Sequence, residues 1–243
     1  MTTASLNAGS GIRVGHVLSR AKELFGANPG FFFTITLIAA LPGLLFHRAY
    51  AEAPHQIGWR LGIAFILVTI LNTIAQAMIL FTALEHLRGL PVQPGEAVRK
   101  SLQRFFPLLV LGIVASAAIG VGLIVLIVPG LVLLVVWAVV VPACVAENLG
   151  PIASMSRSAS LTKGHRWSVF WIILPVVVSS FVVSWLLDLV LSPLGSLVAG
   201  IAGLVWTAAW FAYWNCVLVV IYHDLRVTKE ATDIHQIAAQ AGN

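Results

Sequence analysis

Charged residues are nearly absent from most of this chain. Only 9% of its 243 residues are Asp, Glu, Lys or Arg, whereas 59% are hydrophobic, and the mean hydropathy is +0.97. A water-soluble globule needs much more polar surface, so the composition excludes an ordinary soluble fold. The two cysteines, Cys144 and Cys216, lie inside apolar stretches in no paired spacing. They indicate neither a disulfide framework nor a zinc site.

Six apolar stretches lie between Phe31 and Tyr222, and the connectors between them carry almost all of the ionisable residues. A bilayer core about 30 Å thick requires about 20 apolar residues per helix. The pattern therefore predicts an all-α integral membrane protein whose six transmembrane helices form three hairpins. We predict spans at 31–50, 59–84, 107–128, 130–147, 167–191 and 196–222, with turns at Pro129-Gly130 and Ser192-Pro193.

Basic residues are distributed unevenly between the two sides of this topology. The poorer side has only Arg48 and Arg60. The richer side has Arg13, Arg20, Lys22, Arg88, Arg99, Lys100, Arg104, Arg157, Lys163, Arg166, Arg226 and Lys229. Lys and Arg beside helix ends mark the cytoplasmic side, so we predict that segments 1–30 and 223–243 are cytoplasmic and that 31–222 is the membrane domain. Residues 31–46 also resemble the core of a signal peptide, but the long amphipathic leader favours their retention as the first span.

Three segments on the basic side have an amphipathic pattern, one before each hairpin. Their apolar stripes are Val14, Val17, Leu18, Ala21, Leu24 and Phe25; Val98, Leu102, Phe105 and Phe106; and Ile152, Met155 and Ala159. We interpret the chain as three copies of one unit, in which a basic interfacial helix (about 92–106 and 151–164 in the second and third copies) precedes each hairpin. The alternative is that the basic connectors of any such protein look amphipathic.

An acid lies at the cytoplasmic edge of each helix that is predicted to return to the cytoplasm, namely Glu85, Glu147 and Asp224. The helix macrodipole disfavours a negative charge at a C-terminus by roughly 0.3–1 kcal/mol, so we expect each acid to pair with a cation. The suppliers are predicted among Arg20, Arg99, Arg157 and Arg166. The alternative is a catalytic or ion-binding cluster at the same edge. Its candidate members are Glu85, His86, Glu147, Arg157, Lys163, Arg166, His223, Asp224 and Arg226.

Small, aromatic and polar residues within the spans suggest how the helices pack. Two small-residue faces predict close helix approach, and they comprise Gly112, Ser116 and Gly120, and Gly195, Ala199 and Gly203. A tryptophan stripe is interpreted as bundle packing or, alternatively, as the wall of an acyl-chain groove. It consists of Trp206, Trp210 and Trp214. Asn72 and Gln76 are the main polar pair inside the membrane, and such pairs more often join helices than bind a solute.

Two segments resemble a known family. The first is Glu147-Asn148-Leu149-Gly150-Pro151, followed by Arg157-Ser158, Leu161-Thr162-Lys163-Gly164 and Arg166-Trp167; the second is Tyr222-His223-Asp224-Leu225-Arg226-Val227-Thr228-Lys229-Glu230. Together they are similar to the membrane domain of bacterial glycerophosphoryl diester phosphodiesterases and its uncharacterised inner-membrane relatives, with Ala231 where that family has Gly. In the proteins that gave this family its name, hydrolysis belongs to a separate soluble barrel. The resemblance therefore implies a stand-alone module of the bacterial inner membrane.

We expect a non-enzymatic protein that binds membrane lipids through anionic headgroups or binds a membrane-protein partner. Its basic residues lie beside membrane segments, which argues against nucleic acid as a partner. One alternative is a transporter of lipid or a small solute, for which Asn72 and Gln76 are the only hint. A membrane-embedded lipid hydrolase that uses the edge acids is the other. The sequence predicts no catalytic residue, cofactor or metal site.

Overall fold

The computed structural model describes residues 13–52, 58–90 and 93–241, and the side chains among them except at 43–61, 64–65 and 232–241. The side chains of Arg48 and Arg60 lie outside this described set. The described residues contain helices and no strand. The helices are α1 (Val14–Ala27), α2 (Pro29–Glu52), α3 (Gly58–Leu87), α4 (Pro94–Val125), α5 (Ile127–Val136), α6 (Val140–Ala146), α7 (Pro151–Thr162), α8 (Arg166–Leu191) and α9 (Ser196–Ala241).

Five stretches are long and apolar enough to cross a membrane, and they are Ile66–Leu87, Pro94–Val125, Ile127–Ala146, Arg166–Leu194 and Ser196–Ala231. Helix α1 and the part of α2 up to Pro42 pass the same test only together, with a bend of 86° between them. Helix α2 alone has 24 residues, which corresponds to about 36 Å, the length of a span. The predicted all-α, multi-pass membrane fold is therefore confirmed, with five or six spans.

The hairpins pair as predicted, and α9 lies at their centre. Helix α2 contacts α3, α4 contacts α5, and α8 contacts α9. Helix α9 also contacts α1, α2 and α3. Its residues Cys216, Val217, Val219, Val220 and Ile221 are all fully buried. The largest part of the core therefore surrounds α9 just before Tyr222.

The turn between α4 and α5 differs from the prediction. The chain reverses at Leu126, which is extended, and Pro129 and Gly130 already belong to the start of α5. Proline is tolerated there because the N–H groups at the start of a helix have no helical acceptor. A Cβ at Gly130 would lie 2.4 Å from Cγ of Leu123, and a Cβ at Gly122 would lie 3.1 Å from Cα of Gly130. The missing side chains thus allow α4 and α5 to approach closely at the tip of the hairpin.

The glycines that were predicted to mark close helix approach do not do so. A Cβ at Gly112, Gly120 or Gly203 would meet no neighbour within 4 Å. Gly195 instead has φ +108°, in the turn after the 3₁₀ segment Ser192–Leu194, where the prediction of a turn is confirmed. A small residue permits close packing, but only the partner helix decides whether it occurs.

Two predicted boundaries are absent. The predicted surface helix 92–106 and the span from 107 form one helix, α4, which continues through Pro107. Helix α9 continues past 222 and past Ala231, although we predicted a span that ends at 222. Segment 223–241 contains neither Gly nor Pro, and Arg226 pairs with Glu230 at i,i+4 with an Nε–Oε1 distance of 2.6 Å. Nothing in that segment therefore ends the helix.

The first two amphipathic segments have different environments. The stripe of α1 is buried against the protein, chiefly against α9, and its most buried members are Val17, Ala21 and Leu24. The stripe on α4 is exposed, by 39, 56 and 73% at Val98, Leu102 and Phe106. The described structure therefore does not contain three equivalent surface helices. The amphipathic segments recur before the hairpins along the chain, but they do not pack in the same way.

Replacing Gly130 with Ala should lower Tm in detergent, because its Cβ would overlap the backbone nitrogen of Leu123 at 2.6 Å. Overpacking of this kind typically costs about 1–3 kcal/mol. The matched control is Gly112→Ala, which adds the same methyl group where nothing lies within 4 Å. Equal Tm values for the two variants would contradict the close approach of α4 and α5.

Candidate functional site at the charged helix ends

The candidate site begins at an interruption of the fourth predicted span. Residues 137–139 separate α5 from α6, and the N–H of Val140 donates to the carbonyl of Trp137 at 3.1 Å rather than to that of Val136. The Val136 carbonyl is therefore left without a helical donor. Pro142 has no N–H, so it cannot supply the regular bond to the Ala138 carbonyl either. Inside a membrane no bulk water replaces that donor.

Helix α7 supplies the missing donor. The hydroxyl of Ser158 donates to the Val136 carbonyl at 2.8 Å. The hydroxyl of Thr162 lies 3.3 Å from the same carbonyl, and its nearest acceptor is the Ser158 carbonyl at 2.9 Å. These residues and Ser154 are fully buried, whereas Ile152 is 82% exposed. The predicted apolar stripe of this segment is thus not its buried face. Hydroxyl groups are buried instead, because α7 packs along the interrupted span.

Glu147 joins three helices at the end of α6. Nε of Arg157 on α7 donates to both of its carboxylate oxygens, each at 2.8 Å. The hydroxyl of Tyr222 on α9 donates to Oε1 at 2.9 Å. Tyr222 is 2% exposed, and the side chains of Arg157 and Glu147 are 33 and 18% exposed. The Arg157 pairing agrees with the sequence-based expectation, whereas the contribution of Tyr222 was missed.

The residues that carry the first family resemblance form the tight turn between α6 and α7. Asn148 has φ 59°, in the left-handed region that Asn adopts more readily than most residues. The Leu149 carbonyl accepts hydrogen bonds from Sγ of Cys144 at 3.3 Å and from Nη1 of Arg104 at 3.5 Å. Pro151 is the first residue of α7, where its missing N–H costs no helical bond. A structural role therefore accounts for these residue types.

Glu85 and Asp224 also pair with cations. Nζ of Lys100 lies 2.8 Å from Glu85 and 3.0 Å from Glu96. Nη1 of Arg20 on α1 donates to Asp224 on α9 at 2.9 Å, as expected. For Glu85 the expectation of an Arg partner is wrong, since Lys100 takes that place.

Asp224 lies at a different position in its helix than predicted. It lies inside α9, so it does not face a helix C-terminus. His16 and His223 are within 3.7 and 3.5 Å of its carboxylate. The macrodipole therefore does not explain why Asp224 is paired. The packing of α1 on α9 explains it, because it brings Arg20 to the carboxylate.

The predicted cluster does not form one group. Glu85, Glu147 and Asp224 each have separate partners, and they mark what we call the charged end of the bundle. His86, Lys163 and Arg166 are exposed. Within the described residues none of these three contacts a carboxylate, and no group of three or more His, Cys, Asp or Glu residues is placed to hold a metal ion. Arg226 pairs with Glu230 instead.

The tryptophan stripe lies in the interface between α8 and α9. Nε1 of Trp206 donates to Oγ of Ser184 at 3.1 Å, and Nε1 of Trp210 donates to the Val176 carbonyl at 3.4 Å. The rings of Trp210 and Trp214 are stacked with centroids 5.7 Å apart. These contacts favour the packing interpretation over the acyl-chain groove at this place.

Asn215 is a further buried polar residue that the sequence reasoning missed. Asn215 is fully buried on α9, and its Nδ2 donates to the Phe211 carbonyl at 2.8 Å. Its Oδ1 has no hydrogen-bond partner among the described residues, and the same is true of Oγ1 of Thr82 and Oε2 of Glu85. The available signal was a single amide within the long apolar run before Tyr222. A buried acceptor without a donor is costly, so these atoms mark places where water or a solute would be stabilised.

No protein-family model, no curated protein and no solved structure matches this chain. Membership of the family that segments 147–167 and 222–230 resemble therefore stays a prediction.

Combining Ser158→Ala with Thr162→Val should lower Tm in detergent, because the buried Val136 carbonyl would lose its Ser158 donor and the nearby hydroxyl of Thr162 that could replace it. An unsatisfied buried acceptor costs about 1–3 kcal/mol. The control is Ser160→Ala, since that hydroxyl is exposed and bonds only to the nearby Arg157 carbonyl. A double variant as stable as the wild type would refute the role of the two hydroxyls.

Glu147 and Arg157 should be energetically coupled. Each single Gln variant should lower Tm, and a double-mutant cycle should give a coupling of about 0.5–3 kcal/mol. Glu147→Arg with Arg157→Glu should recover part of the stability lost by either change. Glu147→Arg with Arg166→Glu should recover none, because Arg166 contacts no carboxylate in the described structure. Full stability of Glu147→Gln would exclude the structural role.

Proposed function

We propose that this protein is a non-enzymatic module of the bacterial inner membrane, with both termini in the cytoplasm, that binds anionic phospholipid headgroups at its charged end. The observation that carries this proposal is a surplus of cations. Four cations of this end contact a carboxylate within the protein, and they are Arg20, Lys100, Arg157 and Arg226. The carboxylates that they contact, Asp224, Glu85, Glu147 and Glu230, are therefore already paired.

The remaining cations of the predicted cytoplasmic side contact no carboxylate within the described part of the chain. They are Arg13, Lys22, Arg88, Arg99, Arg104, Lys163, Arg166 and Lys229. Near the surface of an anionic leaflet each Lys or Arg contributes about 1 kcal/mol of attraction. The internal acids do not cancel this attraction, because their own partners hold them. Lipid phosphates are the natural counter-charge.

The first half of α4 supports the same function. Val98, Leu102 and Phe106 are exposed on it, and Arg99 is exposed beside them. Apolar side chains of such a helix enter the acyl boundary of the bilayer, while Arg extends to the phosphates. The resemblance to a membrane domain that is separate from the hydrolytic barrel of its named family is consistent with a binding module of this kind.

Transport is the second candidate function. It is favoured by the buried acceptor atoms of Asn215, Thr82 and Glu85 that have no donor among the described residues. Because α3 and α9 contact each other, these atoms belong to neighbouring helices. A transporter needs polar groups of this kind within the bundle.

The variant Arg88→Gln/Arg99→Gln/Lys163→Gln tests the proposed function. It should retain less phosphatidylglycerol, measured by native mass spectrometry after exchange into vesicles of phosphatidylglycerol and phosphatidylcholine. Its Tm should be unchanged, since these exposed cations contact no carboxylate. The control is Arg88→Lys/Arg99→Lys/Lys163→Arg, which keeps every charge. A wild-type protein with no preference for phosphatidylglycerol would refute the function.

A further inference from the structure

An apolar groove lies between α5 and the start of α8, away from the Glu147 contacts. Its volume is about 320 Å³. One wall is formed by Val128, Leu131, Val132 and Val135. These positions follow at i, i+3, i+4 and i+7, so they form one continuous stripe of α5. Trp167 and Phe170 of α8 form the opposite wall.

Arg166 is the one charged residue that lines this groove. It is the first residue of α8 and is exposed. No carboxylate contacts it among the described residues, so its charge is available to a ligand. The positive end of the α8 macrodipole adds to the same potential. An apolar wall with a free guanidinium at one end is complementary to a molecule that joins a hydrocarbon chain to an anion.

The groove lies at the small end of the range of ligand pockets. A single extended hydrocarbon chain is narrow enough to enter it. Trp167, which is 75% exposed, has the amphipathic ring that favours the membrane interface.

We propose that this groove binds one acyl chain of an anionic phospholipid whose phosphate pairs with Arg166. The proposal rests on the proposed function and adds to it a single defined site. Arg offers the phosphate two parallel N–H donors, which makes it the best suited side chain for this contact. The α5 stripe supplies the apolar surface that retains the chain.

Two variants test the groove and the cation separately. Val132→Trp fills the groove and keeps Arg166; because Val132 is 47% exposed, a larger side chain is tolerated there. Arg166→Gln removes the charge and keeps the groove. The controls are Val110→Trp on α4, at a site that is 46% exposed and does not line the groove, and Arg99→Gln. The full-length protein is titrated with phosphatidylglycerol or phosphatidylcholine in detergent, and native mass spectrometry counts the bound lipids.

Wild type should bind one phosphatidylglycerol more tightly than the following ones. Val132→Trp and Arg166→Gln should each weaken this first binding at least tenfold. Val110→Trp should bind as wild type does, and Arg99→Gln should keep the tight first binding and lower only the retention of the following lipids. If Val132→Trp does not fold, Val128→Trp replaces it, since that position is 69% exposed.

Three results would overturn the groove site. They are an undiminished first lipid in Val132→Trp, an equal loss in Arg99→Gln and Arg166→Gln, and a dimer that Val132→Trp dissociates. The first two leave the proposed function standing, provided that wild type still prefers phosphatidylglycerol. Equal binding of both lipids by wild type would instead refute the proposed function itself.

Discussion

A helix within a membrane cannot leave a backbone carbonyl without a donor, and the Val136 carbonyl imposes this constraint on the packing of α7. The interruption at 137–139 frees it, and the hydroxyl of Ser158 satisfies it, with that of Thr162 nearby. This bond helps to fix α7 along the fourth span. In that position Arg157 reaches Glu147. Since Glu147 also accepts a bond from Tyr222, the central helix α9 is joined to the same contact.

The ion pairs of the charged end determine position more than they add stability. Arg20 to Asp224, Lys100 to Glu85 and Arg157 to Glu147 are partly buried, so desolvation offsets much of their attraction. Their specific effect is to join α1 to α9, α4 to α3 and α7 to α6. A second consequence is chemical. Because these acids are engaged, the exposed cations that have no carboxylate retain their charge for an outside partner.

The multi-pass fold and two of the ion pairs were predictable because they depend on scarce or local features. Apolar length and charge asymmetry indicate spans directly, and a chain with few acids leaves few partners for Arg20 and Arg157. The choice of Lys100 over Arg99 depends on helical phase, which differs by 100° between neighbours. The hydroxyl face of α7 was not predictable, because serine in a basic connector normally indicates solvent exposure. Its burial depends on a break about twenty residues earlier in another helix. The turn at Leu126 likewise depends on the mutual fit of Gly122 and Gly130.

The two parts of the fourth span contribute to two different surfaces. Helix α5 contacts α8, whereas α6 contacts α3 and α9. Within α5, Gly130 lies against α4, and Val128, Leu131, Val132 and Val135 face the start of α8. Gly130 is about 150° from the middle of that stripe around the helix, so close approach to α4 and the apolar groove occupy opposite faces. Because Val136 is the last residue of α5, the Ser158 hydroxyl that satisfies its carbonyl also holds the groove-lining helix against α7.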